Sequence, residues 1–313
     1  MKRMAFLFPG QGSQAVGMAK AFYDEYTEVR ELFQQADQLL EEELTQLMFE
    51  GPKEELTETE NAQPSLLLAG VAVQKLLRKE NIQPKMAAGH SLGEYSALVA
   101  AGSLSFEEAL PLVATRGRLM EEAFPKGKGS MAAVLGMAET DIEQALDTLN
   151  DDQVADIANL NCPGQIVISG SKEGIDAAKE LLKEKGAKRV LPLNVSGPFH
   201  SRLMKPANEQ FAKELDRITF SDADIPVYAN VTAEPVTDKS SVKDLLIRQL
   251  YSPVRFEETV RNMMNEGVDA FVELGTGKVL SGLVRKIDRK TKTFAIEDPD
   301  SLNEFLTWYR EES

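Results

Sequence analysis

The sequence contains very little cysteine or histidine, and both shortages narrow the chemistry open to the chain. Cys162 is the only cysteine among 313 residues, and there are two histidines, His90 and His200. One cysteine excludes a disulfide framework and a CxxC metal site, and two histidines leave no histidine-rich metal cluster. We therefore predict a protein of the reducing cytoplasm with no bound metal. Cys162 itself is interpreted as a small buried or loop residue rather than a nucleophile.

Long apolar stretches are also missing, so no membrane span is predicted. The apolar run at residues 66–73 is too short for a transmembrane helix and ends at Gln74 and Lys75. The first apolar residues run directly into Pro9-Gly10, a pattern unlike a secretory signal peptide. With 42% apolar and 27% charged residues, the composition is that of a soluble globular protein of one large domain or two.

The sequence contains fewer basic residues than acidic ones. Lysine and arginine number 35 against 50 aspartates and glutamates, which gives a net charge of −15. Such a chain does not suit nucleic acid as a general partner, because the phosphate backbone is itself negative. The densest basic segment, residues 285–292, is expected to be a solvated helix end unless it serves a docking role.

The segment Gly89-His90-Ser91-Leu92-Gly93 has the pattern G-x-S-x-G. The apolar residues 86–88 before it suggest a buried strand, and residues 94–101 after it have helix-forming composition. Strand, sharp turn and helix are the setting in which this pattern forms a nucleophile elbow, with the serine hydroxyl exposed at the turn. The bare pattern would also fit a glycine-serine loop without chemistry, but these flanks favour a nucleophile at Ser91.

The order of predicted strands and helices indicates an α/β fold with a mostly parallel sheet covered on both faces. A helix is predicted to open at Gln63-Pro64, and Ser105 with Glu108 forms a capping box for another. After residues 126–129 the pattern changes to β-α-β-β-α-β, which is typical of a ferredoxin-like unit. We predict a large α/β subdomain of residues 1–127 and 195–313, and a small inserted subdomain of residues 128–194. Predicted strands lie at residues 4–8, 86–88, 131–135, 154–160, 165–169, 189–193, 226–229, 269–274 and 293–296.

A serine hydroxyl needs a base to take its proton, and the two histidines are the candidates. His90 is next to Ser91, and adjacent side chains on such a turn generally point apart. His200 lies in a loop before a helix, at a glycine-proline turn. Although His200 could be a helix-start residue with a structural hydrogen bond, we interpret it as the base.

Several motifs occur in an order that resembles a known family. These are Pro9-Gly10-Gln11-Gly12, Gln63-Pro64-Ser65, Gly89-His90-Ser91-Leu92-Gly93-Glu94, Arg116, Asn161 with Gln165, Gly197-Pro198-Phe199-His200-Ser201 and Gln249. Together they resemble the malonyl-CoA:acyl carrier protein transacylases of type II fatty acid synthesis, over nearly the whole chain. The resemblance implies an α/β-hydrolase-like core with an inserted ferredoxin-like subdomain.

The resemblance also implies roles for individual residues. Ser91 matches the acylated nucleophile and His200 matches its base. Gln249 matches the position whose backbone carbonyl orients the histidine, where hydrolases use Asp or Glu. The backbone N–H groups of Gln11 and Leu92 match the oxyanion hole, which typically stabilises the transition state by a few kcal/mol.

A role for Arg116 in binding the substrate is also supported by a physical argument that does not depend on the resemblance. The malonyl group carries a free carboxylate beyond its thioester. A planar guanidinium can hold a carboxylate with two parallel hydrogen bonds, which selects dicarboxylic acyl groups. Arg118 competes equally on spacing, and the resemblance selects Arg116. It also implies that Gln63 contacts substrate and that the ring of Phe199 leaves little space for a 2-methyl branch.

The predicted reaction is a two-step acyl transfer from malonyl-CoA to Ser91 and then to the phosphopantetheine thiol of acyl carrier protein. Thioester, ester and thioester are nearly balanced in energy, so neither ATP, a metal ion nor another cofactor is required. We expect a monomer that binds neither nucleic acid nor membrane. Acyl carrier proteins of this pathway are acidic, so a local basic patch is needed, and Arg285 and Lys286 are the predicted docking residues.

Three alternative functions remain open on the sequence. A serine hydrolase would need an Asp or Glu between the serine and the histidine, and Asp141, Asp156 and Asp176 occupy that interval but fall in the predicted insert. A non-enzymatic carrier-protein scaffold is disfavoured by the presence of Ser91, His200 and Arg116 together. A transferase acting in polyketide synthesis would share the same chemistry.

Overall fold

The computed structural model describes residues 2–311. Its strands, in chain order, are β1 (Met4–Phe8), β2 (Met86–Gly89), β3 (Gly129–Leu135), β4 (Ala155–Cys162), β5 (Gln165–Ser171), β6 (Arg189–Pro192), β7 (Val227–Tyr228), β8 (Pro235–Val236), β9 (Ala270–Leu274) and β10 (Thr293–Ile296). Its α-helices are α1 (Lys20–Glu25), α2 (Thr27–Leu40), α3 (Leu44–Glu50), α4 (Lys53–Thr57), α5 (Thr59–Lys79), α6 (Gly93–Ala100), α7 (Phe106–Glu122), α8 (Glu139–Leu146), α9 (Lys172–Glu184), α10 (Asn208–Leu215), α11 (Lys239–Gln249), α12 (Phe256–Asn265), α13 (Val279–Ile287) and α14 (Pro299–Glu311). A 3-10 helix, Arg202–Ala207, precedes α10.

The main sheet has the strand order β10-β9-β1-β2-β7-β8, and all its pairs are parallel except the β7–β8 pair at one edge. Both faces of β1 are buried. Phe6 and Phe8 point into one apolar cluster, while Ala5 and Leu7 point into another on the opposite face. A parallel sheet covered on both faces produces such an unbroken apolar strand, and the predicted mixed α/β fold with a mostly parallel sheet is confirmed.

A second sheet is antiparallel, with the strand order β4-β5-β3-β6. Helices α8 and α9 pack on it, and Ile142, Ile168 and Leu182 lie fully buried in their shared apolar cluster. Each predicted strand is present in the described residues with small differences at its ends. Strand β8 was not predicted, because its two residues, Pro235 and Val236, carry no alternating pattern.

The main sheet brings two loops to one edge. Strands β1 and β2 are parallel neighbours, with Phe8 opposite Gly89, so the loops that follow them emerge side by side. The carboxyl edge of such a sheet is where ligands bind in α/β proteins. The approach is close, because a Cβ atom at Gly10 would lie 2.4 Å from the carbonyl oxygen of His90.

The predicted start of a helix at Gln63-Pro64 is wrong, since α5 begins at Thr59 and Pro64 lies inside it. Packing against α7 explains the extra turn. A Cβ atom at Gly117 would lie 2.6 Å from the carbonyl oxygen of Thr59, so the two helices meet backbone to backbone there. Ser105 is the N-cap of α7, as predicted, with its Oγ accepting a hydrogen bond from the backbone N–H of Glu108, and the Glu108 carboxylate accepts from the Ser105 hydroxyl. None of the helices within residues 2–311 has both the length and the apolar character needed to cross a membrane.

Candidate active site

The turn between β2 and α6 places Ser91 at the edge of the main sheet. Ser91 has a φ of 51°, in the left-handed region, which costs about 1–3 kcal/mol for a residue other than glycine. Only glycine fits on either side of the turn. A Cβ atom at Gly89 would lie 1.8 Å from the backbone carbon of Gly93, and one at Gly93 would lie 2.0 Å from the carbonyl oxygen of Phe8. The strand-turn-helix setting predicted for the G-x-S-x-G pattern is therefore confirmed.

His200 faces Ser91 from the segment before the 3-10 helix. Its Nε2 lies 2.8 Å from Ser91 Oγ, and its Nδ1 lies 2.8 Å from the backbone carbonyl oxygen of Gln249. A carbonyl oxygen can only accept, so Nδ1 carries the proton and Nε2 presents its lone pair to the hydroxyl. This is the arrangement in which an imidazole can take the proton of a serine.

Burial keeps this imidazole neutral. The ring is 4% exposed, and its desolvation, together with the positive charge of Arg116, lowers the pKa of His200 to about 3. At neutral pH the ring is therefore deprotonated at Nε2 and free to accept a proton. Like Ser91, His200 has a left-handed backbone, with a φ of 60°.

The carboxylates that a hydrolase would need are engaged elsewhere. Asp156 accepts a 2.9 Å hydrogen bond from Nε of Arg202, while Asp141 and Asp176 lie in α8 and α9, which pack on the second sheet. The partner of His200 Nδ1 is a neutral carbonyl group, so none of the three serves as the third member of a serine triad.

Arg116 projects from α7 into the same site and is 1% exposed. Its Nη2 lies 3.1 Å from Ser91 Oγ and donates to Oε1 of Gln249 at 2.8 Å, and its Nη1 donates to Oε1 of Gln63 at 2.8 Å. Arg118, by contrast, lines a separate surface depression with Glu122. Helical spacing alone did not distinguish Arg116 from Arg118 as the arginine of the site. The structure places Arg116 beside Ser91.

A buried carboxyl group lies behind Arg116. Glu94 Oε2 accepts hydrogen bonds from Gln249 Nε2 at 2.7 Å and from the backbone N–H of Asn230 at 3.0 Å. Burial raises the pKa of Glu94 to about 7. The amide of Gln249 thus lies between an acceptor and the guanidinium, with its NH₂ toward Glu94 and its oxygen toward Arg116, and this orientation holds the guanidinium in place.

A cleft of about 130 Å³ opens above Ser91. The other predicted site residues on its wall are Gln11, Gln63, Leu92, Phe199 and His200. The Gln11 side chain is anchored by a 3.1 Å hydrogen bond from Nε2 to Thr59 Oγ1, which fixes the loop after β1. Leu92 is the N-cap of α6, where backbone N–H groups have no partner within the helix. Both residues line the cleft beside Ser91, and the oxyanion role of their backbone N–H groups stays a prediction.

Neither Arg285 nor Lys286 lines this cleft. They occupy the last turn of α13, and Lys286 Nζ donates a 2.9 Å hydrogen bond to Gln165 Oε1. Their docking role stays a prediction.

The prediction that His90 points away from Ser91 is confirmed, while one further side chain at the site was not predicted. His90 turns away from Ser91, and its Nε2 lies 2.9 Å from Asn161 Oδ1. Asn230 was not predicted, although its side chain accepts a 2.7 Å hydrogen bond from the backbone N–H of Ser91. The signal that could have revealed it is its position just after β7, which pairs with β2.

Comparisons with known proteins agree with this geometry. The model of the acyl transferase domain family matches residues 5–293. A malonyl CoA-acyl carrier protein transacylase of Bacillus subtilis (strain 168) is 52% identical over 314 residues, which cover 100% of this chain and 99% of that protein.

Solved structures also match nearly the whole chain. An acyl carrier protein S-malonyltransferase from Vibrio cholerae O1 biovar eltor has a TM-score of 0.94 at 44% identity, covering 97% of this chain and 99% of that one. A malonyl-transacylase in complex with its type II PKS acyl-carrier protein has a TM-score of 0.95 at 40% identity, covering 97% and 99%. The chain is thus an acyltransferase and belongs to the family of malonyl CoA-acyl carrier protein transacylases.

Proposed function

We propose that this chain transfers the malonyl group from malonyl-CoA to the phosphopantetheine thiol of acyl carrier protein through a malonyl ester on Ser91, and so supplies the extender unit of fatty acid synthesis. The observation that carries the proposal is the buried guanidinium of Arg116, whose Nη2 lies 3.1 Å from Ser91 Oγ. A hydrolase for neutral acyl groups would gain nothing from a buried positive charge at its nucleophile. A free carboxylate on the acyl group gives that charge a partner.

In the first half of the reaction, His200 Nε2 takes the proton of Ser91 while Oγ attacks the thioester carbonyl. The carbonyl oxygen becomes an oxyanion, which the backbone N–H groups of Gln11 and Leu92 stabilise. When the intermediate collapses, the carbon–sulfur bond breaks and the CoA thiolate leaves. His200 returns its proton to the sulfur, and the malonyl group remains on Ser91.

The second half repeats these steps with another thiol. His200 takes the proton of the phosphopantetheine thiol, and the sulfur attacks the malonyl ester through a second oxyanion. Ser91 then leaves and recovers its proton from His200. No ATP, metal ion or other cofactor is required, because a thioester is exchanged for a thioester. The cleft must keep water from the ester, since hydrolysis would release malonate.

Selectivity for malonyl is assigned to three side chains. Arg116 is proposed to bind the malonyl carboxylate with two parallel hydrogen bonds, replacing part of its present contacts. Gln63 holds Nη1 of that guanidinium from the opposite side. Phe199 is 5% exposed and lines the cleft, so its ring is proposed to limit the space for a 2-methyl branch.

For the architecture, we propose an α/β-hydrolase-like core of residues 1–127 and 195–313 with a ferredoxin-like subdomain of residues 128–194. Support comes from the βαββαβ order and from the antiparallel second sheet. The two segments that connect the proposed subdomains run close together, because a Cβ atom at Gly129 would lie 2.3 Å from Pro198 Cδ. We further propose that the protein works as a cytoplasmic monomer.

The decisive experiment is a mass measurement of the intact protein after mixing with malonyl-CoA alone. The transferase function predicts a stable malonyl adduct that maps to the Ser91 peptide and is discharged on adding the carrier protein. Free malonate without an adduct would instead indicate a hydrolase. Comparing carrier proteins of fatty acid and polyketide synthesis as acceptors would then identify which pathway the enzyme serves.

Reversing both Arg285 and Lys286 to glutamate is expected to raise the apparent KM for carrier protein and leave acylation by malonyl-CoA nearly intact. An acidic carrier protein can approach this acidic enzyme only where the local charge is positive. The defect should grow at low salt, where repulsion between like charges is least screened. Steady-state kinetics with each substrate varied in turn measures the effect.

A matched control reverses Lys213 on α10 and Arg217 just after it, which makes the same change in net charge on another surface. The control should leave the KM for carrier protein unchanged. An equal loss for both substrates in the Arg285 and Lys286 variant, or no loss for either, would remove the docking role.

A further inference from the structure

The conformation of Ser91 depends on contacts from outside the turn. The flanking glycines permit the turn, but they do not hold Ser91 at its left-handed φ of 51°. The side chain of Asn230 bonds the backbone at two points of the turn. Asn230 Nδ2 donates to the carbonyl oxygen of Gly89 at 2.6 Å, and Asn230 Oδ1 accepts from the backbone N–H of Ser91 at 2.7 Å.

These two hydrogen bonds extend the pairing between β2 and β7 beyond the last residue of β7. Ala87 and Ala88 of β2 pair with Val227 and Tyr228 of β7, and β7 ends there. In a parallel ladder, the N–H of one residue donates to a residue of the neighbouring strand, and the C=O of the same residue accepts from the residue two positions later on that strand. The side-chain amide of Asn230 does this to Gly89 and Ser91, so it continues the pairing past the end of β7.

Asn230 is itself held firmly. It is 2% exposed, its backbone N–H donates to Glu94 Oε2 at 3.0 Å, and its carbonyl oxygen accepts from the N–H of Arg255 at 3.0 Å. The orientation of its amide is unambiguous, because the N–H of Ser91 can only donate and the carbonyl group of Gly89 can only accept.

We propose that Asn230 is a positioning residue that fixes the backbone of Ser91 and thereby sets the rate at which the serine is acylated. The proposal rests on the proposed function, in which Ser91 is the nucleophile. It also accounts for the choice of oxyanion donors, because the N–H of Ser91 is occupied by Asn230 and the donors must come from Leu92 and Gln11.

The arrangement separates positioning from acyl selectivity. Arg116 is held by Gln63 and Gln249, and neither bond involves Asn230. Gln249 Nε2 lies 3.3 Å from Asn230 Oδ1, but it keeps shorter bonds to the carbonyl oxygen of Ser91 at 3.0 Å and to Glu94 Oε2 at 2.7 Å. Loss of the Asn230 amide should therefore slow all acyl groups alike.

The test compares single-turnover acylation of wild type and variants by malonyl-CoA and by acetyl-CoA. Asn230→Leu, which removes both hydrogen bonds at similar volume, should lower both rates about a hundredfold, as a misplaced reacting group does. The ratio of the two rates should stay at the wild-type value. Sulfonylation of Ser91 by phenylmethanesulfonyl fluoride, which does not use Arg116, should slow in parallel.

Asn230→Asp keeps the acceptor for the N–H of Ser91 and loses the donor to Gly89, so its rates should fall between those of wild type and Asn230→Leu. If Asn230→Leu does not fold, the acylation rates of Asn230→Asp test the proposal alone. Glu273→Gln is the matched control. Glu273 is a buried carboxyl group on β9 that accepts from the backbone N–H groups of Leu280 and Ser281, so this change should lower the melting temperature and leave acylation at the wild-type rate.

Wild-type acylation rates in both Asn230 variants would overturn the proposal, as would a loss confined to malonyl-CoA. Failure of the wild-type protein to form a malonyl ester on Ser91 would instead count against the proposed function. The two failures are thus distinguishable in one set of measurements.

Discussion

Replacing His200 with alanine is expected to slow acylation of Ser91 by malonyl-CoA by about a hundredfold to ten-thousandfold, the usual contribution of a positioned general base. The reason is the neutral imidazole whose Nε2 lies 2.8 Å from Ser91 Oγ. Without it, the hydroxyl has no group within the site that can accept its proton. Rapid mixing followed by acid quench and intact mass measures the acylation rate directly.

His90→Ala provides the comparison, because it removes the same kind of ring next to the nucleophile. His90 Nε2 lies 2.9 Å from Asn161 Oδ1 rather than at Ser91, so this change should act through packing and reduce the rate much less. An inactive His90 variant beside an active His200 variant would show that the base has been misassigned.

Arg116→Ala is expected to abolish the preference for malonyl over acetyl. Two hydrogen bonds between charged groups contribute about 3 kcal/mol, so malonyl transfer should fall about a hundredfold. Acetyl transfer should fall less or rise, because the pocket gains room and loses an unpaired charge. Acylation rates with malonyl-CoA and acetyl-CoA give the preference as a ratio.

Arg116→Lys separates charge from geometry, since it keeps the positive charge but cannot form two parallel hydrogen bonds. It should recover only part of the malonyl preference. Arg118→Ala changes an arginine two positions further along α7 that faces another surface, so it should behave as wild type. An unchanged ratio in Arg116→Ala would exclude the carboxylate-binding role.

The features that depend on local backbone geometry could be predicted from the sequence. The turn at Ser91 requires glycine at Gly89 and Gly93, and that requirement is visible as a motif because no other residue fits. The alternation of apolar strands and helices likewise predicts a mostly parallel sheet, and the structure confirms it. Family resemblance, which the comparisons confirm, selected Arg116 where helical spacing left Arg118 equal.

The features that depend on distant contacts could not be predicted in this way. Pro64 suggests a helix start, yet α5 begins five residues earlier, because Thr59 packs against Gly117 of α7. Asn230 is 139 positions from Ser91 along the chain, and no local pattern marks an asparagine whose amide replaces a peptide group of a neighbouring strand. Such contacts follow from sheet order rather than from spacing.

The central place of β1 also matters during synthesis. Its two neighbours are β2 and β9, with Met4 opposite Ala270. At about 5–20 residues per second, roughly 15–50 seconds separate the appearance of β1 and β9 on the ribosome. For that interval one edge of an apolar strand has no partner, and such an edge invites pairing with other chains. The antiparallel sheet, whose strands all lie between Gly129 and Pro192, can form earlier. A nascent chain would therefore carry a finished small sheet beside a main sheet that stays open at its centre until β9 emerges.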